Sequence, residues 1–187
     1  MRLPAPRIAP LTDAELTPEA REALSALPAF SAAFNIFRTQ AHKPAALKAF
    51  LAWGMYILGP GNSLPARERE LAILRTGFLC KAGYEWAQHC VIGRQSGLTD
   101  AEIAAIKQGA DAPGWNAIDA AILRACDELV RDHFVTDSTW MALAPLGDEG
   151  RIDLVYTVGQ YTQVSMLLNS AGVQLDAMLA ADPDLMV

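Results

Sequence analysis

Apolar residues recur at helical spacing through most of this chain, with polar residues filling the positions between them. Leu47, Phe50, Leu51, Gly54, Ile57 and Leu58 follow that spacing from Pro44 to a stop at Gly59-Pro60, which predicts one helix. Thr17-Pro18-Glu19 starts an earlier one, with a capping hydroxyl, a proline in the first turn and an acid beside the positive helix end; it is expected to close near Pro28. A second helical stretch is expected over residues 31–41. Pro65, with Glu68 and Glu70 close behind, opens a helix to Leu79, and Tyr84 to Ser96 forms its partner, stopped by Gly97. Thr99-Asp100-Ala101-Glu102 is a capping box before a helix to Gln108. Further helices are expected over 116–133, from an Asp137 or Ser138 cap through Leu143, and over 149–172. No strand pattern interrupts them. Consecutive helices joined by short turns predict an all-α bundle with its ligand pocket between helices. Residues 1–16, holding Pro4, Pro6 and Pro10, read as an irregular arm laid on the surface or on a neighbouring subunit.

The segment Leu64 to Gly97 carries the candidate chemistry. Glu85 and His89 are four residues apart, so their side chains share one helix face. Glu70 lies on the preceding helix, which a break at Lys81-Ala82-Gly83 folds back against the Glu85 helix as an antiparallel hairpin. Two carboxyls and an imidazole on an apolar scaffold form an acid/base relay. Tyr84 and Trp86 flank Glu85, while Leu71, Ile73 and Leu74 follow Glu70, which places the acids near apolar walls. Burial there raises a carboxyl pKa and a nearby imidazolium opposes that rise. The alternative is an ordinary solvated Glu–His pair.

Composition narrows the function classes. With 52% hydrophobic residues, a chain of 187 has enough apolar surface for one core without staples. A net charge of −6 with no basic stripe excludes a nucleic-acid backbone as partner. No run approaches the roughly 20 apolar residues that span a bilayer, and no signal-peptide pattern is present, so a cytoplasmic protein without a membrane partner is expected. Cys80, Cys90 and Cys126 lack CxxC spacing and read as small core residues. His42, His89 and His133 form no HxH or HExxH pattern, so no metal site is expected. No phosphate-binding glycine loop is present either.

Arg69-Glu70-Leu71 through Tyr84-Glu85-Trp86 to His89 closely resembles the carboxymuconolactone decarboxylase and alkyl hydroperoxidase D superfamily. Asn35-Ile36-Phe37-Arg38, Leu64-Pro65-Ala66-Arg67, Ser138-Thr139-Trp140 and Gly159-Gln160-Tyr161 leading to Asn169 are similar to its longer decarboxylase-like members. The resemblance covers residues 30–175. It implies an all-α domain over 17–180 after the 1–16 arm, assembled as a homo-oligomer, a trimer or hexamer, with the site near subunit contacts. In the hydroperoxidase branch a glutamate, a CxxC pair and a histidine form a thiol peroxidase. Aligned on His89, that glutamate falls on Glu70, while the cysteine positions fall on Ala82 and Glu85. Neither Cys80 nor Cys90 stands in register with them.

The resemblance therefore implies a cofactor-independent lyase, a decarboxylase, or an isomerase acting on a small carboxylated lactone or a related acid of aromatic catabolism. His89 is then the proton donor or oxygen stabiliser, Glu85 its orienting partner and Glu70 a proton reservoir. Tyr84, Trp86, Cys80, Arg75 and His133 are substrate-binding candidates, with Asn169 at the border and Arg38 a further carboxylate binder. Tyr84 and Trp86 equally suit core packing, Arg75 and Arg38 equally suit neutralising acids between helices, and His133 equally suits a helix cap. Two other functions remain: a peroxiredoxin-like hydroperoxide reductase using Cys80 alone, and a non-catalytic oligomer that binds a small apolar ligand.

Overall fold

Nine helices make up the described residues, 1–186, of the computed structural model, and no strand occurs among them. In chain order they are α1 (Pro18–Leu24), α2 (Asn35–Gln40), α3 (Pro44–Leu58), α4 (Ala66–Leu79), α5 (Gly83–Gln95), α6 (Asp100–Gln108), α7 (Ala117–Asp132), α8 (Asp137–Ala142) and α9 (Gly147–Ala171). Short 3-10 turns cover Ser31–Ala33, Ala144–Leu146 and Pro183–Leu185. None of these helices is long and apolar enough to cross a membrane.

α4 is the hub on which α5, α6, α7 and α9 pack. Every residue from Glu70 to Gly77 is buried, so this helix has no solvent face along its second half. That explains its weak amphipathic pattern: a helix covered on all sides needs no polar stripe. Leu71, Ala72 and Leu74 join Ile122, Leu123, Cys126 and Leu154 in the largest apolar cluster. Ile73 turns the other way, toward Ile57, Tyr84, Tyr161 and Val164.

The α4–α5 hairpin is antiparallel, as the Lys81-Ala82-Gly83 break predicts. Lys81 takes a left-handed conformation (φ 53°), and the Ala82 N–H returns to the Gly77 carbonyl at 2.9 Å, closing the helix end. Gly93 lets the helices approach, whereas Gly77 has room for a side-chain carbon. A Cβ on Gly77 would stand 3.8 Å from the Glu85 side chain, and one on Gly93 would meet Leu98 at 3.1 Å and Leu74 at 3.3 Å. The close crossing brings Glu70 on α4 within reach of α5.

Tertiary bonds shift three expected boundaries. The stretch over 31–41 divides at Phe34, which is extended because the next residue, Asn35, donates its N–H to Asp176 (2.9 Å) and its side chain to the Gln174 carbonyl (3.1 Å). α1 closes at Leu24, ahead of Pro28, with the Ser25 N–H on the Arg21 carbonyl. Thr136, not Asp137 or Ser138, holds the N-cap of α8; its N–H and hydroxyl bind Glu128 at 2.8 and 2.9 Å. The Thr99–Glu102 capping box forms as predicted. The N-terminal arm runs over this same chain: the Arg7 and Ile8 N–H groups share the Ala171 carbonyl, and Leu11 reaches the Arg38 carbonyl.

Candidate active site

His89 stands between two carboxylates. Its Nδ1 lies 2.7 Å from Glu70 Oε2, and its Nε2 lies 3.0 Å from Glu85 Oε1. The first contact crosses the hairpin; the second spans one turn of α5, the i,i+4 spacing read in the sequence. All three side chains are buried, Glu70 completely. Tyr161 of α9 sets its ring edge-on to the imidazole, with centroids 4.9 Å apart.

Burial works against a charged imidazole, but Glu70, by its charge and its hydrogen bond, and then Glu85 outweigh it. His89 is raised to about 10 and is an imidazolium at neutral pH. The Tyr161 hydroxyl is pushed well up by its own burial and by the charges of Glu85 and Glu70, so it stays protonated. Glu70 Oε1 is buried without a hydrogen-bond partner.

The triad opens on one side only. A cavity of about 290 Å³ is walled by α2, α3, α5 and α9, and Glu85 and His89 line it while Glu70 does not. Phe34, Ile36, Phe37, Phe50, Leu51, Ile92 and Val164 make most of its surface. The volume sits at the small end of ligand pockets, which run to roughly 300–1,000 Å³. The order Glu70, His89, Glu85, cavity gives the acid/base groups a direction: Glu85 and His89 face a ligand and Glu70 backs them.

Residues 44–127, from the start of α3 into α7, match the model of the carboxymuconolactone decarboxylase family. No curated protein sequence matches it. Among solved structures the fold is similar to an uncharacterised peroxidase-related protein with an alkylhydroperoxidase AhpD core from Ralstonia eutropha, at 21% identity over 91% of this chain and 93% of that one, TM-score 0.74. A peroxidase-related protein from a Silicibacter species is similar at 16% identity over 94% and 92%, TM-score 0.74. A debrominase solved with 2,3,4-tribromopyrrole is similar at 16% over 91% of each chain, TM-score 0.69. At these identities the likeness is one of fold, and that fold is the AhpD-like helical bundle expected from the sequence.

Against this family fold the sequence candidates separate. Glu70, Glu85, His89 and Tyr84 come together. The Tyr84 ring lines the cavity, but its hydroxyl donates to Asp176 and receives the Gln88 amide at 3.3 Å, so it is occupied rather than offered to substrate. Burial and then Asp176 hold that phenol far above its ordinary pKa.

The other four lie elsewhere. Trp86 points into the main core, 5.5 Å from the Phe78 ring centroid, with its indole N–H on Asp182 at 3.0 Å. One residue from Glu85, it necessarily faces another side of α5. Arg75 is locked in a fork on Asp127 (2.6 and 3.0 Å) and on the Ile106 and Lys107 carbonyls, which is the structural alternative of its two readings. His133 is the left-handed C-cap of α7 and exposed. Cys80 is the C-cap of α4 and does not line the cavity; burial raises its thiol, and Thr162 and Ser165 pull the other way. Asn169 donates to the Cys80 carbonyl (2.9 Å) and so holds the end of α4, not a ligand. Arg38 is paired with Asp13 at 2.7 Å.

Tyr161, Gln160, Gln88 and Ser31 are the polar lining residues to which the sequence reading assigned no role. Gln160 carried no distinct signal, since Thr157, Thr162, Gln163 and Ser165 around it are polar too; the structure singles it out by burial with Oε1 unpartnered.

Proposed function

We propose that this protein is a cofactor-independent proton-transfer enzyme, a lyase or isomerase acting on a small unsaturated ring such as a lactone, with Glu85 as the group that exchanges a proton with substrate carbon. The observation that carries this reading is the His89 imidazolium held between Glu70 and Glu85 at the wall of an otherwise apolar cavity. When a ring carbon loses a proton or carbon dioxide, electrons pass into the conjugated carbonyl, and charge grows on its oxygen. His89 stabilises that charge without giving up its proton to water, and Glu85 takes or returns the carbon-bound proton. Glu70 keeps His89 charged throughout. The apolar wall excludes water and strengthens each of these interactions.

Sulfur chemistry fits less well. A thiol peroxidase needs an accessible thiolate. Cys80 lies outside the cavity with its pKa raised, and Cys90 is pushed up to about 11, first by burial. A panel of enol lactones and cyclic enones incubated with enzyme in deuterated water tests the proposal by NMR. Deuterium entering carbon, or loss of carboxylate carbon, is expected with wild type and Cys80→Ser alike. Turnover that instead requires a hydroperoxide with a dithiol, and that vanishes in Cys80→Ser, overturns it.

The same proposal includes self-association of the kind the resemblance implies, as a trimer or hexamer. Ile152, Val155, Tyr156 and Met166 leave one face of α9 apolar and exposed, and Tyr156 continues it onto Tyr56 of α3, 6.1 Å away between ring centroids. Sedimentation velocity is expected to show an oligomer that Tyr156→Lys dissociates. A monomer in the wild type refutes this part alone.

A further inference from the structure

The charge inside the cavity constrains which ligands fit. No Lys or Arg lines it. Glu85 and His89 line it and Glu70 stands behind, and both imidazole nitrogens already face those two acids, so His89 has no N–H left for a ligand. Arg69 of α4 is close enough for its charge to act on Tyr161, yet it stands outside the lining, and its Nε is buried without a partner. A carboxylate entering this space would lose its water, find the His89 N–H groups already taken, meet no Lys or Arg and face Glu85.

One buried amide in the cavity is free to bind. The Gln160 side chain lies beside Gly54, where a Cβ would stand 3.6 Å from Nε2, and no hydrogen bond among the described residues occupies its amide. A buried amide offers both a donor and an acceptor. Around it are the rings of Phe34, Phe37 and Phe50. Gly54 leaves room above the amide that any side chain would fill.

We infer that the cavity selects an uncharged, flat ring bearing a hydroxyl or carbonyl, that Gln160 receives this polar group, and that the carboxylated counterpart of the same ring is rejected. The inference rests on the proton-transfer reading for the site but concerns recognition, so binding tests it even where chemistry is absent. It narrows the lactone acids implied by sequence resemblance to their neutral relatives. In that case the reaction is an isomerisation or related proton shift, since a decarboxylation would bring an anion to Glu85.

Isothermal titration of the full chain at pH 7 with p-cresol and with 4-methylbenzoate, rings of similar size that differ in charge, tests it. p-Cresol is expected to bind at least about tenfold more tightly. Glu85→Gln narrows the gap by improving 4-methylbenzoate, and Gln160→Leu weakens p-cresol severalfold while the circular dichroism spectrum stays unchanged. Equal or tighter binding of 4-methylbenzoate overturns the inference, most directly if Arg69→Gln then removes it. Binding of neither probe at millimolar concentration overturns it as well. Failure of the deuterium assay with these preferences intact refutes the proton-transfer reading and leaves the ligand class standing.

Discussion

Glu85→Gln is expected to lower the rate of deuterium incorporation by about 10²- to 10⁴-fold, with little change in substrate KM. The amide keeps the size and a hydrogen-bond acceptor for His89 Nε2, 3.0 Å away in the wild type, but cannot take a proton from carbon. Glu70→Gln is expected to cost less activity, since Glu70 does not line the cavity and acts through the imidazole. It should instead move the alkaline limb of the rate profile downward, because the imidazolium loses its larger supporting charge. Rates at pH 6–10 for the two variants separate the roles. If Glu70→Gln is the more damaging at every pH and Glu85→Gln is nearly silent, the order of the relay is reversed and Glu85 is not the group that meets substrate.

The second large effect is on stability. His89 titrates near 6.5 in an unfolded chain and near 10 in the folded one, because the two carboxylates outweigh its burial. Below 6.5 both states hold the proton and the full stabilisation is present. Above it the unfolded chain releases the proton first, so folding must take one up, and stability declines as pH rises through about 10. The full loss is on the order of 5 kcal/mol. Urea midpoints at pH 6.5, 8 and 9.5 are expected to fall in that order for wild type and more gently for His89→Gln. Where that variant proves too unstable, the His89 nitrogen shifts in wild-type NMR spectra read the titration directly. An imidazole already neutral at pH 8 would remove the basis for this prediction and for a charged relay.

The sequence makes the framework legible because its signals are local. Proline and capping residues mark α1, α3, α4 and α6, and glycine or left-handed positions mark the ends of α5 and α9. The i,i+4 spacing of Glu85 and His89 is likewise a local fact, and the hairpin break at Lys81 supplies the one long-range step that brings in Glu70. What lies beyond such signals is decided by partners distant in the chain. Trp86 and Arg75 look like site residues from their neighbours in sequence, yet Asp182 and Asp127 hold them elsewhere. Gln160 needed the opposite inference, from 75 positions beyond Glu85, and nothing in the sequence separates it from its polar neighbours Thr157, Thr162 and Gln163. Which acid touches the cavity and which stands behind it depends on the crossing of α4 and α5, a matter of Gly93 rather than of any motif.

The enclosure of α4 from Glu70 to Gly77 has a kinetic meaning. A helix packed on all sides opens only when the whole molecule does, so the amides around Glu70 belong to the slowest hydrogen-exchange class, and the carboxylate that backs His89 cannot be exposed by breathing. The opposite wall is different in kind: α2 is a short helix, and α3 leaves Met55 and Leu58 open to solvent at the cavity. Traffic in and out of the cavity therefore falls to the α2–α3 side, while the charges keep still. The molecule separates a rigid chemical floor from a yielding roof.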